Sequence, residues 1–281
     1  MNGGYPVECQ TWIVPYLQTA DVTIHYEVSG DGPRVLFFNG SGATLKTSRV
    51  LVDALAGHCT VLAHDQRGLG ETSVPDGPYT MQQYAADGAA LLDHVGWDTC
   101  AVVGISFGGM VAQEFAVTFP QRVERLVLMC TSAGGEAGAS YPLHELASLD
   151  ADARDARITE LTDSRWTPQW LESHPLDAAI VAMRRKQAGV AKSAEVLRGE
   201  RLQLQARIGH DVAGRLGNIT APTFVTAGRY DGIAPPANSE EIVRRVPGAT
   251  LKLYEGGHLF SAQDKHALAD ICRFLTTGER P

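Results

Sequence analysis

The chain has 281 residues, 44% of them hydrophobic, and a formal net charge of −8. Such a length and apolar content exclude a disordered chain and suit one large α/β core, with or without an insertion. The acidic balance argues against nucleic acid or an anionic membrane surface as partner, since both call for basic patches, and leaves a small neutral or weakly anionic molecule.

From the N-terminus, "MNGGYPVECQ" has no basic stretch leading into an apolar core, and nowhere do 18 apolar residues follow one another. A soluble, cytoplasmic protein is expected. "VTIHYEV" alternates like a half-exposed strand, whereas "RVLFFNG" and "TVLAHD" are continuous apolar runs of the kind buried on both faces. "YTMQQYAADGAALLDHVGW" places its apolar residues at helical spacing. The strand "CAVVGI", a helix from about Phe107 to Phe119 stopped by Pro120, and the strand "RLVLMC" follow. Strand alternating with helix predicts a mostly parallel, doubly wound sheet with right-handed crossovers.

The alternation then breaks. From "TSAGGEAGAS" to about Gly217 the chain is rich in Ala, Arg, Leu and Glu and shows no clear strand. Residues 133–217 are therefore expected to form a helical cap over one edge of a core made of 1–132 and 218–281. "PTFVTAG" resumes the strands, "SEEIVRRVP" reads as a helix, "ATLKLYE" as the last strand and "HALADICRFL" as a closing amphipathic helix. The five cysteines, Cys9, Cys59, Cys100, Cys130 and Cys272, are scattered and lack CxxC spacing, which argues for reduced thiols over a disulfide frame or zinc site. Cys100, Cys130 and Cys272 sit in apolar runs and read as small core residues.

Gly104, Ser106 and Gly108 fit G-x-S-x-G between an apolar strand and a helix, a turn that lifts a serine oxygen above the sheet. A hydroxyl attacks poorly until a base removes its proton, and that base needs a third group to orient it. On this turn the expected chain order is Ser, then Asp or Glu, then His, each after a strand end. Asp231 in "RYDGIAPP" and His258 in "GGHLF" meet that condition, although Asp231–Gly232 alone also suits an ordinary turn. Two donors must hold a developing oxyanion. The Phe107 N–H at the helix start and the Ser41 N–H in "FFNGSGAT" are the candidates.

These residues resemble the α/β-hydrolase family over nearly the whole chain. "NGSG", "DQRGLGETS", "GISFGGMVAQ", "GRYDGIAPP" and "GGHLF" occur in that family's order and strand contexts. "DQRGLGETS" departs from its D-x-R-G-x-G-x-S turn by Thr72, and Asn39 stands where His is more common. Asn at that position is similar to the 3-oxoadipate enol-lactonases and the medium-chain polyhydroxyalkanoate depolymerases. "DGPYTMQQYAAD", "ERLVLMCTSA" and "RWTPQWLESHP" look more like the enol-lactonases. The resemblance implies a Ser nucleophile and hydrolysis of a small ester or lactone.

In the insertion, Trp166, Trp170, Met183 and Arg184, with Asn39 from the core, are candidates to line a substrate pocket. Trp166 and Trp170 also fit plain cap packing, and the "MRRK" run also fits a solvated basic face. A same-fold lyase or C–C bond hydrolase using the three residues as a base, and a receptor-like binder, remain open. No ligand-spaced His and carboxylate group and no phosphate loop is present, so no metal or cofactor is expected. The chain is read as monomer or homodimer.

Overall fold

The computed structural model describes residues 15–280, so Cys9 and the N-terminal stretch lie outside the described residues. The strands are β1 (Tyr16–Gln18), β2 (Thr23–Ser29), β3 (Arg34–Phe38), β4 (Thr60–His64), β5 (Cys100–Ile105), β6 (Val123–Met129), β7 (Thr223–Gly228) and β8 (Thr250–Tyr254). They form one sheet in the order β1-β2-β4-β3-β5-β6-β7-β8, parallel from β4 through β8, with β1 and β2 antiparallel. Helices α1 (Leu45–Ala56), α2 (Met81–His94) and α3 (Phe107–Thr118) cross between the early strands. Helices α4 (Ala151–Thr162), α5 (Pro168–Ser173), α6 (Pro175–Ala188) and α7 (Ala194–Ile208) lie between β6 and β7, and α8 (Pro236–Arg245), α9 (Phe260–Gln263) and α10 (Ala267–Thr277) complete the chain.

The continuous apolar runs are buried on both faces because alternate side chains serve two cores. Leu36, Phe38, Val102, Leu126 and Leu128 join the cluster under α2 and α3. Val35, Phe37, Ala101, Val103, Val127 and Met129 join the cluster under α1 and α10. Helices α1 and α2 are each started by a side chain: Thr44 and Thr80 form capping boxes with Thr47 and Gln83. Among the described residues, no helix is long and apolar enough to cross a membrane.

The loop after β4 is organised by its own acid and base. Asp65 accepts from the Leu45 N–H (2.7 Å) and the Glu71 N–H (3.0 Å), fixing both the start of α1 and the turn itself. Thr72 ties the turn to β2: its Oγ1 donates to Asp65 O (2.6 Å) and accepts from the His25 N–H (2.9 Å). Arg67 is buried and bidentate to buried Asp87, with both contacts at 2.7 Å. Arg67→Ala would strand the Asp87 carboxylate, and an unfolding free energy lower by about 3–5 kcal/mol is expected in a urea titration. A loss within experimental error would mean that Asp87 is solvated or protonated at little cost.

The insertion contacts loops that follow the strands at their carboxyl ends. Gln203 on α7 accepts from the Gly42 N–H (2.8 Å) in the loop after β3, and Arg198 donates to Val74 O and Pro75 O in the loop after β4. The C-terminal carbonyls of α4, which have no helical donors, accept from the Gly232 N–H (Leu161 O, 2.9 Å) and the His258 N–H (Thr162 O, 2.6 Å). An antiparallel bridge, Gly134 to Asp211, closes the neck of the insertion.

Candidate active site

The strand-to-helix turn at Ser106 follows from two close approaches. A Cβ at Gly104 would lie 2.2 Å from Gly108 O, and one at Gly108 would lie 2.1 Å from Phe38 O. Only glycine lets α3 start this close to β5 and β3. Ser106 itself has φ 55°, a left-handed conformation that a serine adopts at a cost. The Ser106 N–H to Met129 O bond (2.8 Å) and the Thr131 Oγ1 to Ser106 O bond (2.7 Å) hold it there.

The structure brings Ser106, His258 and Asp231 together. His258 Nε2 lies 2.9 Å from Ser106 Oγ, and His258 Nδ1 lies 2.7 Å from Asp231 Oδ2. Asp231 is buried, and its other oxygen accepts from the N–H groups of Ile233 (2.8 Å) and Ala234 (2.9 Å). Burial disfavours the imidazolium, but the adjacent Asp231 carboxylate, with Cys130 on the same ring, outweighs it and holds His258 well above the ordinary histidine range.

The loop after β3 reaches the same point. A Cβ at Gly40 would lie 3.7 Å from Ser106 Cβ, which puts this backbone beside the serine. Neither the Ser41 N–H nor the Phe107 N–H donates to an acceptor among the described residues, while the neighbouring Gly40 and Gly42 N–H groups do, to Asn39 Oδ1 and Gln203 Oε1. Two donors without an internal partner therefore lie at the start of α3 and in the loop after β3 that passes Ser106. Asn39 is buried and its Nδ2 donates to Ser48 Oγ (2.7 Å), so its side chain braces the loop against α1.

The expected pocket residues are placed differently. Arg184 donates to Asp155 Oδ1 and Thr159 Oγ1 (both 2.6 Å) and Arg185 donates to Asp155 Oδ2 (2.8 Å), so this pair pins α6 to α4 and Arg184 is already neutralised. Met183 is 62% exposed on α6. Trp170 donates to Asp177 Oδ2 (2.7 Å) and stacks on His174, a cap-internal role. Trp166 is buried, and its Nε1 has no partner among the described residues.

Two residues at the site escaped the sequence reading. Cys130, read as core, is fully buried as expected, but it has φ 41° at the end of β6, and its sulfur lies within 4.8 Å of ligating atoms of Asp231 and His258. That set of three has the elements of a metal site, but both Asp231 oxygens are already engaged by N–H groups and the imidazole, which favours a hydrogen-bonded relay. Gln203, in a helix with no sequence marker, buttresses the loop that carries Ser41.

Comparison with known proteins agrees with this architecture. The family described as the alpha/beta hydrolase fold matches residues 33–264. A poly(3-hydroxyalkanoate) depolymerase from Ectopseudomonas oleovorans is 31% identical over 248 residues, covering 88% of this chain and 85% of its own. A 3-oxoadipate enol-lactonase from Acinetobacter baylyi is 28% identical over 254 residues, covering 89% and 92%. The crystal structure of a hydrolase from Pseudomonas aeruginosa superposes with a TM-score of 0.75 at 29% identity, covering 96% of this chain and all of that one. With a serine turn between β5 and α3, an eight-stranded mostly parallel sheet and a helical insertion after β6, the chain belongs to the α/β-hydrolase fold family.

Proposed function

We infer that this protein is a serine hydrolase of small carboxylic esters or lactones that works through an acyl-enzyme. The observation that carries the reading is the unbroken hydrogen-bonded chain from Ser106 Oγ through His258 to Asp231. Ser106 Oγ attacks the carbonyl carbon while His258 Nε2 takes its proton, and Asp231 keeps the ring oriented and stabilises the imidazolium. The tetrahedral oxygen is held by the N–H groups of Phe107 and Ser41, the former at the positive end of α3. His258 then returns the proton to the leaving alkoxide, and a water activated by the same ring releases the acid. Every group the cycle needs is a side chain or backbone amide of this chain, with no cofactor.

The helical segment 133–217 acts in this reading as a cap over the carboxyl edge of the sheet, its α7 forming one wall of the substrate space. Two relatives carry names that specify a poly(3-hydroxyalkanoate) and an enol-lactone, which fits ester and lactone chemistry without fixing the substrate. The test is a panel of p-nitrophenyl esters of graded length and simple lactones, read by turnover and by intact mass in rapid quench. A mass gain equal to the acyl group on the wild type is expected. A panel that never acylates the protein, together with cleavage of a β-diketone, would overturn the ester reading in favour of C–C bond hydrolysis.

A further inference from the structure

His258 stands on a turn that has little conformation of its own. The two residues before it are Gly256 and Gly257, and Gly256 takes φ 145°, a backbone region that residues with a Cβ rarely adopt. Fixing such a pair costs more conformational entropy than fixing any other two residues, so neighbours must set where the imidazole sits. Two bonds do so. The His258 N–H donates to Thr162 O at the end of α4 (2.6 Å), and the Gly257 N–H donates to Gln263 Oε1 (2.9 Å) in α9.

Gln263 joins that turn to the insertion. Its Nε2 donates to Asp163 Oδ2 (2.9 Å), just past α4, and to Asp177 Oδ1 (3.0 Å), in the first turn of α6. Both carboxylates are buried. Each is fixed from the insertion side: Asp163 by Arg165 (2.7 and 3.0 Å) and Asp177 by the Trp170 indole N–H (2.7 Å). Arg165 in turn lies over the ring of Tyr230, 4.0 Å from its centroid and one residue before Asp231. The turn is flush against this group, since a Cβ at Gly257 would lie 2.0 Å from Thr162 O and 2.6 Å from Asp163 Cβ. The Gln263 amide therefore works at both ends, accepting from the histidine turn and donating to two acids of the insertion. Only an amide suits this place, because a carboxylate has no proton to give and would face two like charges.

We propose that Gln263 is a positioning residue for His258, through which Asp163 and Asp177 of the insertion hold the imidazole at its working distance from Ser106. The inference rests on the reading of His258 as the base that activates Ser106. Loss of the bond at Gly257 lets the turn shift, the 2.9 Å contact from His258 Nε2 to Ser106 Oγ lengthens, and proton transfer slows. Groups that bind the substrate carbonyl are untouched, so the effect falls on kcat and leaves KM in place.

The test compares wild type with two variants. Gln263→Leu is of similar size and makes neither bond, and Gln263→Met takes its place should it not fold. Gln263→Glu/Asp177→Asn moves the amide to the α6 side and leaves an acceptor for the Gly257 N–H. The first readout is the rate at which a fluorophosphonate attaches to Ser106, with kcat and KM for a p-nitrophenyl ester. Gln263→Leu is expected to slow labelling and kcat at least about tenfold at unchanged KM, and the double change to recover part of the loss. The second readout needs no turnover: the low-field proton resonance of His258 Nδ1–H in its bond to Asp231, assigned by its loss in His258→Ala. It is expected to broaden or move in Gln263→Leu and to return in the double variant. A folded Gln263→Leu with wild-type labelling and an unchanged resonance would overturn the proposal and leave the hydrolase reading standing. A wild type that takes up no probe, with a resonance that still responds to Gln263→Leu, would overturn the hydrolase reading and keep Gln263 as the residue that positions His258.

Discussion

Ser106→Ala is expected to lower ester turnover by about 10⁴-fold or more while leaving the thermal transition almost unchanged. The hydroxyl makes one side-chain contact, with His258 Nε2, so its removal costs little packing. The strain at φ 55° belongs to any residue with a Cβ and is the same for alanine as for serine. The two free amides at Phe107 and Ser41 survive the change, and the activity that remains should be the fraction that carbonyl polarisation alone provides. Retention of full turnover with an unshifted pH profile would mean that the attacking group is a different one.

Asp231→Asn is expected to cost a similar factor, about 10⁴ in kcat, and to move the acid limb of the pH profile. The asparagine oxygen can still accept from the Ile233 and Ala234 N–H groups, so the turn after β7 should keep its shape. What changes is the imidazole. His258 accepts the Ser106 proton only when it is itself unprotonated, so kcat/KM must fall as pH drops through its pKa. In wild type the Asp231 carboxylate and Cys130 together outweigh burial and raise that pKa, which puts the limb above the ordinary histidine value of about 6.5. In the asparagine variant only Cys130 is left to oppose burial, the pKa falls, and the limb of the residual activity shifts to lower pH. A limb that stays in place would show that another group, not His258, titrates.

The parts of this molecule that were legible in the sequence are those that local chemistry dictates. The buried parallel strands β3, β4, β5, β6 and β7 appear as continuous apolar runs because both of their faces are covered. The turn at Ser106 is legible because no residue larger than glycine fits at Gly104 or Gly108. Strand β1, three residues long with no buried position, gave no periodic signal to read, whereas α1 was passed over although its buried Leu45, Val52 and Leu55 fall on one helical face.

Tertiary partnerships were the illegible part. Arg184, readable from the sequence as a pocket candidate or as part of a solvated basic face, proves to pair with Asp155, nearly thirty positions away. Cys130 matched a core cysteine in every local respect, and only the convergence of β6, β7 and β8 sets its sulfur beside the imidazole. The ties from α4 to the Asp231 and His258 loops are backbone bonds, which leave no trace in side-chain identity.

The central claim is that Ser106 is a nucleophile activated by His258, and the most direct measurement is intact mass after incubation with a fluorophosphonate probe. Wild type is expected to gain one phosphonyl group, and Ser106→Ala to gain none. Labelling that persists in Ser106→Ala, or a folded wild type that takes up no probe, would contradict the account.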